Sequence, residues 1–153
     1  MALTLLDLEQ QQTLPPSDWT KISQSTINTF ADATGDHQWI HIDAQRCQTE
    51  SPFKQTIAHG FLSASLMPKA FEEVIQPHKE IASVLNYGIN SLRFLEPVRV
   101  NDKVRFAFSV ASIEQKPLGK LFTFDCIVEI EEREKPALIG QFMMLAVIRS
   151  AVR

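Results

Sequence analysis

The segment "HGFLSASLMPKAFEEVI", residues 59–75, constrains the fold more than any other stretch of the chain. From Phe61 to Ile75 apolar residues fall on almost every side of a helix, so other structure must wrap it. Gly60 stands at its entrance. Pro68 interrupts it, because an interior proline removes a backbone donor and frees the carbonyl of Ala64, and a kink is expected there. Downstream the apolar period changes to two. Val104, Phe106, Phe108 and Val110 share one face, opposite Lys103, Arg105, Ala107 and Ser109. After the turn "KPLG", Phe122, Phe124, Cys126, Val128 and Ile130 alternate with polar residues, and "ALIGQFMMLAVIR" makes another long strand, apolar on both faces. With "SVLNYGINSLRFLEPV" these form an antiparallel sheet of long strands joined by short turns. One buried helix ahead of such a sheet gives an α+β architecture in which the sheet curls around the helix. The last strand has no polar face, so a second subunit is expected to cover it, forming a homodimer.

The 153 residues suit a single domain spanning 1–153. Pro15 and Pro16 in "QQQTLPPSD" prevent regular structure, and residues 1–16 are expected to be loosely ordered. Apolar spacing at Ile27, Phe30 and Ala31 predicts a short helix from about Ser23 to Ala33, stopped by Gly35. Asp43 reads as the N-cap of another, "AQRCQTE". A net charge of −3 gives no global basic field for nucleic acid or anionic membrane. "MALTLLDLEQ" lacks a basic leader, and no apolar run reaches the roughly 20 residues that cross a bilayer. Cys47 and Cys126 show no metal or redox spacing, so reduced thiols and a cytoplasmic location are expected.

The chemistry-bearing stretch is "FADATGDHQWIHID", residues 30–43. Asp36 follows Gly35 and can close an Asx-turn, or serve as an acid. His41 lies among Trp39, Ile40 and Ile42, and can be a satisfied core imidazole or a base. His59 and Gly60 add a third part: glycine admits close ligand approach, and free N–H groups at a helix start favour negative charge. Acid, imidazole and oxyanion donor together suit one reaction. A metal site is the competing chemistry, with Asp36, His37, His41 and His59 as donors and the two histidines His37 and His41 at helical i, i+4 spacing. The "TGD" turn argues against a helix there, and no metal or redox cofactor is expected. His78, in "QPHKE", reads as a solvated loop residue.

"FADATGDHQWIH" resembles the signature of the MaoC-like dehydratases and (R)-specific enoyl-CoA hydratases, and "TIAHGFLSASLMP" and "NYGINSLRFLEPVRVNDKV" resemble that family's next two blocks. The resemblance covers most of residues 17–149 and is nearest the NodN-like branch. It implies the hotdog fold and makes Asp36 and His41 the catalytic pair, with the Gly60 N–H as donor to a thioester carbonyl. Asp36 would take a proton from water, His41 would orient that water and help protonate C2, and the product would be the (3R)-3-hydroxyacyl thioester of coenzyme A or acyl carrier protein. Gln38-Trp39 replace the family's Asn-Pro pair, and Pro68 stands where some relatives carry a serine, with Ser63 and Ser65 nearby. A hotdog thioesterase is the enzymatic alternative, disfavoured because Glu72 and Glu73 lie far down the central helix; a non-catalytic acyl-thioester-binding protein is the other.

Overall fold

The computed structural model describes residues 2–152. Five strands form one antiparallel sheet in the order β1-β3-β4-β5-β2, where β1 is Thr20–Lys21, β2 Ile81–Phe94, β3 Lys103–Lys116, β4 Gly119–Ile130 and β5 Leu138–Ile148. The alternation seen in the sequence is the burial pattern: Val104, Phe106, Phe108 and Val110 point into the core, as do Phe122, Phe124, Cys126, Val128 and Ile130. The "KPLG" turn closes with Lys116 paired to Gly119. Gly119 is obligatory, because at φ +159° a Cβ would sit 1.9 Å from the Ala146 carbonyl oxygen.

The central helix packs on this aromatic floor. Phe71 meets Phe108 edge-on, with ring centroids 5.5 Å apart, and Phe124 at 4.9 Å. Each such pair contributes about 0.5–1.5 kcal/mol beyond its buried area. The helix is two pieces, α4 (Gly60–Ser65) and α5 (Met67–Val74), joined at Leu66. The break therefore falls two residues before Pro68, which then occupies the first turn of α5, where its missing N–H costs nothing. Burial is one-sided within the chain: Leu62, Ala64, Met67, Ala70 and Phe71 are buried, while Phe61 remains 67% exposed. No described helix is long and apolar enough to cross a membrane.

Two expectations are corrected. The N-terminal segment has a 3-10 turn at Leu5–Asp7 and is not loose. Leu5, Leu8 and Leu14 are buried, and the N–H groups of Gln11, Leu14 and Ser17 donate to the carbonyls of Val110, Phe108 and Phe106 along the edge of β3. Only residues 15 and 16 lose donors to proline, so their neighbours remain free to pair. The second correction concerns β5. It is flanked by β4 and β2, and its outer residues Leu145 and Val147 are buried with Leu121 against Met143. The uncovered apolar surface lies on β2, the edge strand, where Val84, Leu85, Tyr87 and Ile89 are exposed.

Candidate active site

Helix α1 (Gln24–Thr34) begins at an N-cap in which the Ser23 side chain accepts from the Thr26 N–H. It ends at Gly35, whose φ of +83° is left-handed. That reversal delivers Asp36 to an exposed turn. Its carboxylate accepts the Gln38 N–H at 3.3 Å, the Asx-turn expected from the sequence. The chain then forms a single helical turn, α2 (Trp39–Ile42), where none was expected, followed by α3 (Ala44–Glu50), capped by Asp43 as expected. The turn α2 carries His41 inward to 6% exposure.

Segment 56–58 fixes the imidazole. Ile57 N–H donates to the Ile40 carbonyl, and the Ile57 carbonyl accepts His41 Nδ1–H at 2.7 Å. A carbonyl cannot donate, so Nδ1 carries the proton and the Nε2 of neutral His41 presents a lone pair. Burial pushes the His41 pKa below its ordinary value; the Ile57 bond opposes this, His59 adds to it, and Asp36 opposes it. Burial therefore favours the neutral imidazole.

His59 caps α4 and is 3% exposed. Its ring stacks on His41 with centroids 3.8 Å apart, and its Nε2–H donates to the Asp36 carbonyl at 2.9 Å. At Gly60, a Cβ would lie 2.9 Å from the Phe94 ring, so any larger residue would require that ring to shift. The first α4 amides that find an acceptor are those of Leu62 and Ser63, both on the His59 carbonyl, which leaves the Gly60 N–H as an open donor. A cavity of about 310 Å³ connects His41, Gly60, Ser63, Phe94 and Glu96. Asp36 is outside its lining, but an oxygen of its carboxylate and ring nitrogens of His41 and His59 lie within 4.8 Å of one another.

The structure thus gathers Asp36, His41 and Gly60, and sorts the remaining candidates. His37 faces outward to Asp32 at 2.9 Å. Ser63 lines the cavity, whereas Ser65 donates to the Leu62 carbonyl and, with Pro68, lines a neighbouring groove. Glu72 and Glu73 lie away from the cavity: Glu73 pairs with Lys69 and accepts the Asp18 N–H. Glu96, ion-paired to Arg99 at 3.7 Å, is a lining carboxylate that no sequence pattern signalled. Asp36, His41 and His59 do form a cluster of metal-ligand types, but one nitrogen of each ring is already committed to a backbone carbonyl, His41 Nδ1 to Ile57 and His59 Nε2 to Asp36.

Residues 7–124 match the family model described as MaoC like domain. The chain belongs to the MaoC-like family. Among its relatives, 3-hydroxyacyl-thioester dehydratase Z of Mycobacterium tuberculosis (strain ATCC 25618 / H37Rv) is 41% identical over 126 residues, covering 82% of each chain. Nodulation protein N of Rhizobium leguminosarum bv. viciae is 38% identical over 146 residues, 94% of this MaoC-like chain and 91% of that protein. The unliganded R-hydratase PhaJ1 of Pseudomonas aeruginosa superposes with a TM-score of 0.76 at 26% identity, covering 96% of this chain and 87% of its own. The fold is the hotdog fold, an α+β arrangement of curled antiparallel sheet and central helix.

Proposed function

We propose that this MaoC-like protein is an (R)-specific hydratase/dehydratase that interconverts trans-2-enoyl and (3R)-3-hydroxyacyl thioesters. The observation that carries the reading is the Nε2 of His41, left without a protein partner on a buried ring that lines the cavity, beside the Asp36 carboxylate and an open Gly60 amide. In this reading the base is His41 rather than Asp36. A group whose pKa lies near the working pH moves protons best, which favours the imidazole over the carboxylate. In hydration, His41 Nε2 takes one proton from a water whose other hydrogen is held by Asp36. The water oxygen bonds to C3, the alkene electrons move to the thioester, and the negative oxygen is met by the Gly60 N–H. The protonated His41, its charge balanced by Asp36, then returns the same proton to C2. Dehydration is the reverse. One base on one face delivers both parts of the water and produces a single stereoisomer, and the step requires no redox or metal group.

The names of the relatives, a 3-hydroxyacyl-thioester dehydratase and an R-hydratase, agree with this chemistry. The carrier is coenzyme A or acyl carrier protein. A groove of about 540 Å³ that shares Phe61 with the cavity, and continues past Met67 and Phe142 to Met143, suits the acyl chain. The protein works as a homodimer whose second copy covers the fourteen-residue edge strand β2, because a long exposed apolar edge is otherwise an aggregation site. Its two free, buried thiols fit a reducing cytoplasm. The test is incubation with crotonyl-CoA and longer enoyl-CoAs, following loss of the enoyl absorbance and the configuration of the product. Expected is (3R)-hydroxyacyl-CoA, unaffected by chelator. Release of free thiol would establish a thioesterase instead, binding without turnover a carrier protein, and activity lost to chelator and restored by zinc a metal enzyme.

A further inference from the structure

We propose that His59 is a positioning residue that holds the Asp36 carboxylate, the His41 base and the oxyanion donor in one frame. The inference rests on the hydratase reading. Asp36 needs such a frame. Its side chain is 54% exposed, and the bonds that hold its turn locally are long, 3.3 Å from Gln38 N–H and 3.4 Å to Thr34 Oγ1. The bond that ties residue 36 to the far side of the site is the 2.9 Å donation from His59 Nε2–H, across 23 residues of sequence.

The same side chain backs the base. His41 lies against the His59 ring at 3.8 Å, and Phe30 of α1 lies against His59 at 4.9 Å. The ionisable groups facing His41 are Asp36, from the turn after α1, and His59, from the cap of α4. The two act in opposite senses: the Asp36 charge favours the protonated ring, whereas His59 disfavours it and covers one face of the imidazole. The backbone of His59 then completes the set, since its carbonyl accepts the first α4 amides and its successor is Gly60.

A packing role alone does not account for an imidazole here. Nε2 is taken by the Asp36 carbonyl, and Nδ1 is buried without a partner. An apolar ring would fill the same space without stranding a polar atom. What the imidazole adds over phenyl is the donor to Asp36.

Two substitutions separate the parts. His59→Phe keeps the ring and removes the donor; His59→Gln keeps an amide donor that reaches the Asp36 carbonyl and removes the ring. For His59→Phe, kcat should fall at least tenfold with KM changed less than about threefold, because the Asp36 turn is no longer referenced to His41. For His59→Gln, most of kcat should return, while the acid limb of kcat/KM moves to higher pH as water reaches the His41 ring. Imidazole ¹⁵N spectra, which need no turnover, should show His41 titrating at higher pH in His59→Gln. The wild type and Asp36→Asn run alongside: a wild type that does not turn over enoyl thioesters refutes the hydratase reading, while the ¹⁵N titration still judges the link from His59 to His41. Wild-type kcat in His59→Phe, equal kcat losses in both variants, an unmoved His41 titration, or failure of both variants to fold would each make His59 a packing residue and overturn the proposal.

Discussion

If Asp36 and His41 hold one water between them, removing either leaves the other with little to do, and the two losses cannot multiply. The perturbations are Asp36→Asn, His41→Gln and the double variant. The structure sets their stability costs apart. Asp36 is half exposed, and its carbonyl rather than its carboxylate takes the His59 bond, so Asp36→Asn should change stability by no more than about 0.5 kcal/mol. His41 is buried. Its replacement leaves the Ile57 carbonyl without a donor, at about 1–3 kcal/mol, and removes the stack on His59, worth about 0.5–1.5 kcal/mol. A total near 3 kcal/mol corresponds to roughly 6–12 °C in Tm for a chain of this size, against about 2 °C or less for Asp36→Asn. Activity should not follow that order. Each single variant should lose about 10²–10⁴ in kcat, or roughly 3–5 kcal/mol of barrier, and the double should be scarcely worse than either. The assay is steady-state hydration of an enoyl-CoA at temperatures where each variant is folded, with thermal unfolding of all four chains. Independent losses, additive in log kcat, would refute the shared water. An Asp36→Asn protein with normal turnover would remove the carboxylate from the mechanism.

Two further outcomes test the surroundings of the site. Because burial lowers the folded-state pKa of His41 below the ordinary 6.5, the unfolded chain binds the proton more readily; this contribution to stability is fully present above about pH 6.5 and is lost as the pH falls toward the depressed folded value. The wild-type Tm should therefore fall between pH 7 and pH 5 more steeply than that of His41→Gln, and equal slopes in thermal melts would refute it. On the β2 edge, Leu85→Lys with Tyr87→Lys should convert a dimer to a monomer in sedimentation at micromolar concentration, since each apolar side chain left uncovered forfeits roughly 1.5–3 kcal/mol; a wild-type monomer would refute the second copy.

The sequence alone determined what depends on local periodicity and local stereochemistry. Alternation of Phe106 and Phe108 against Arg105 and Ala107 fixed which strand faces are inside, because side chains on a strand point to opposite faces in turn. Gly35, Asp43 and Pro68 marked a helix end, a helix start and a broken helix, since each acts through its own backbone or a neighbour's. Asp36, His41 and Gly60 each had an ordinary local explanation, and it was the resemblance of "FADATGDHQWIH" and "TIAHGFLSASLMP" to the family's blocks that singled them out. Tertiary structure decided everything that depends on who meets whom. The neighbours of β5 buried Leu145 and Val147 on its outer face while leaving Ile139 exposed, and put the sheet edge at β2, and the N-terminal segment was tied down by the unpaired edge of β3. The tautomer of His41 was decided by a carbonyl sixteen residues away, which leaves Nε2 free. His59 reaches Asp36 only because segment 56–58 lays the start of the central helix against α2, and no spacing in the sequence encodes a contact that the fold makes between distant stretches of chain.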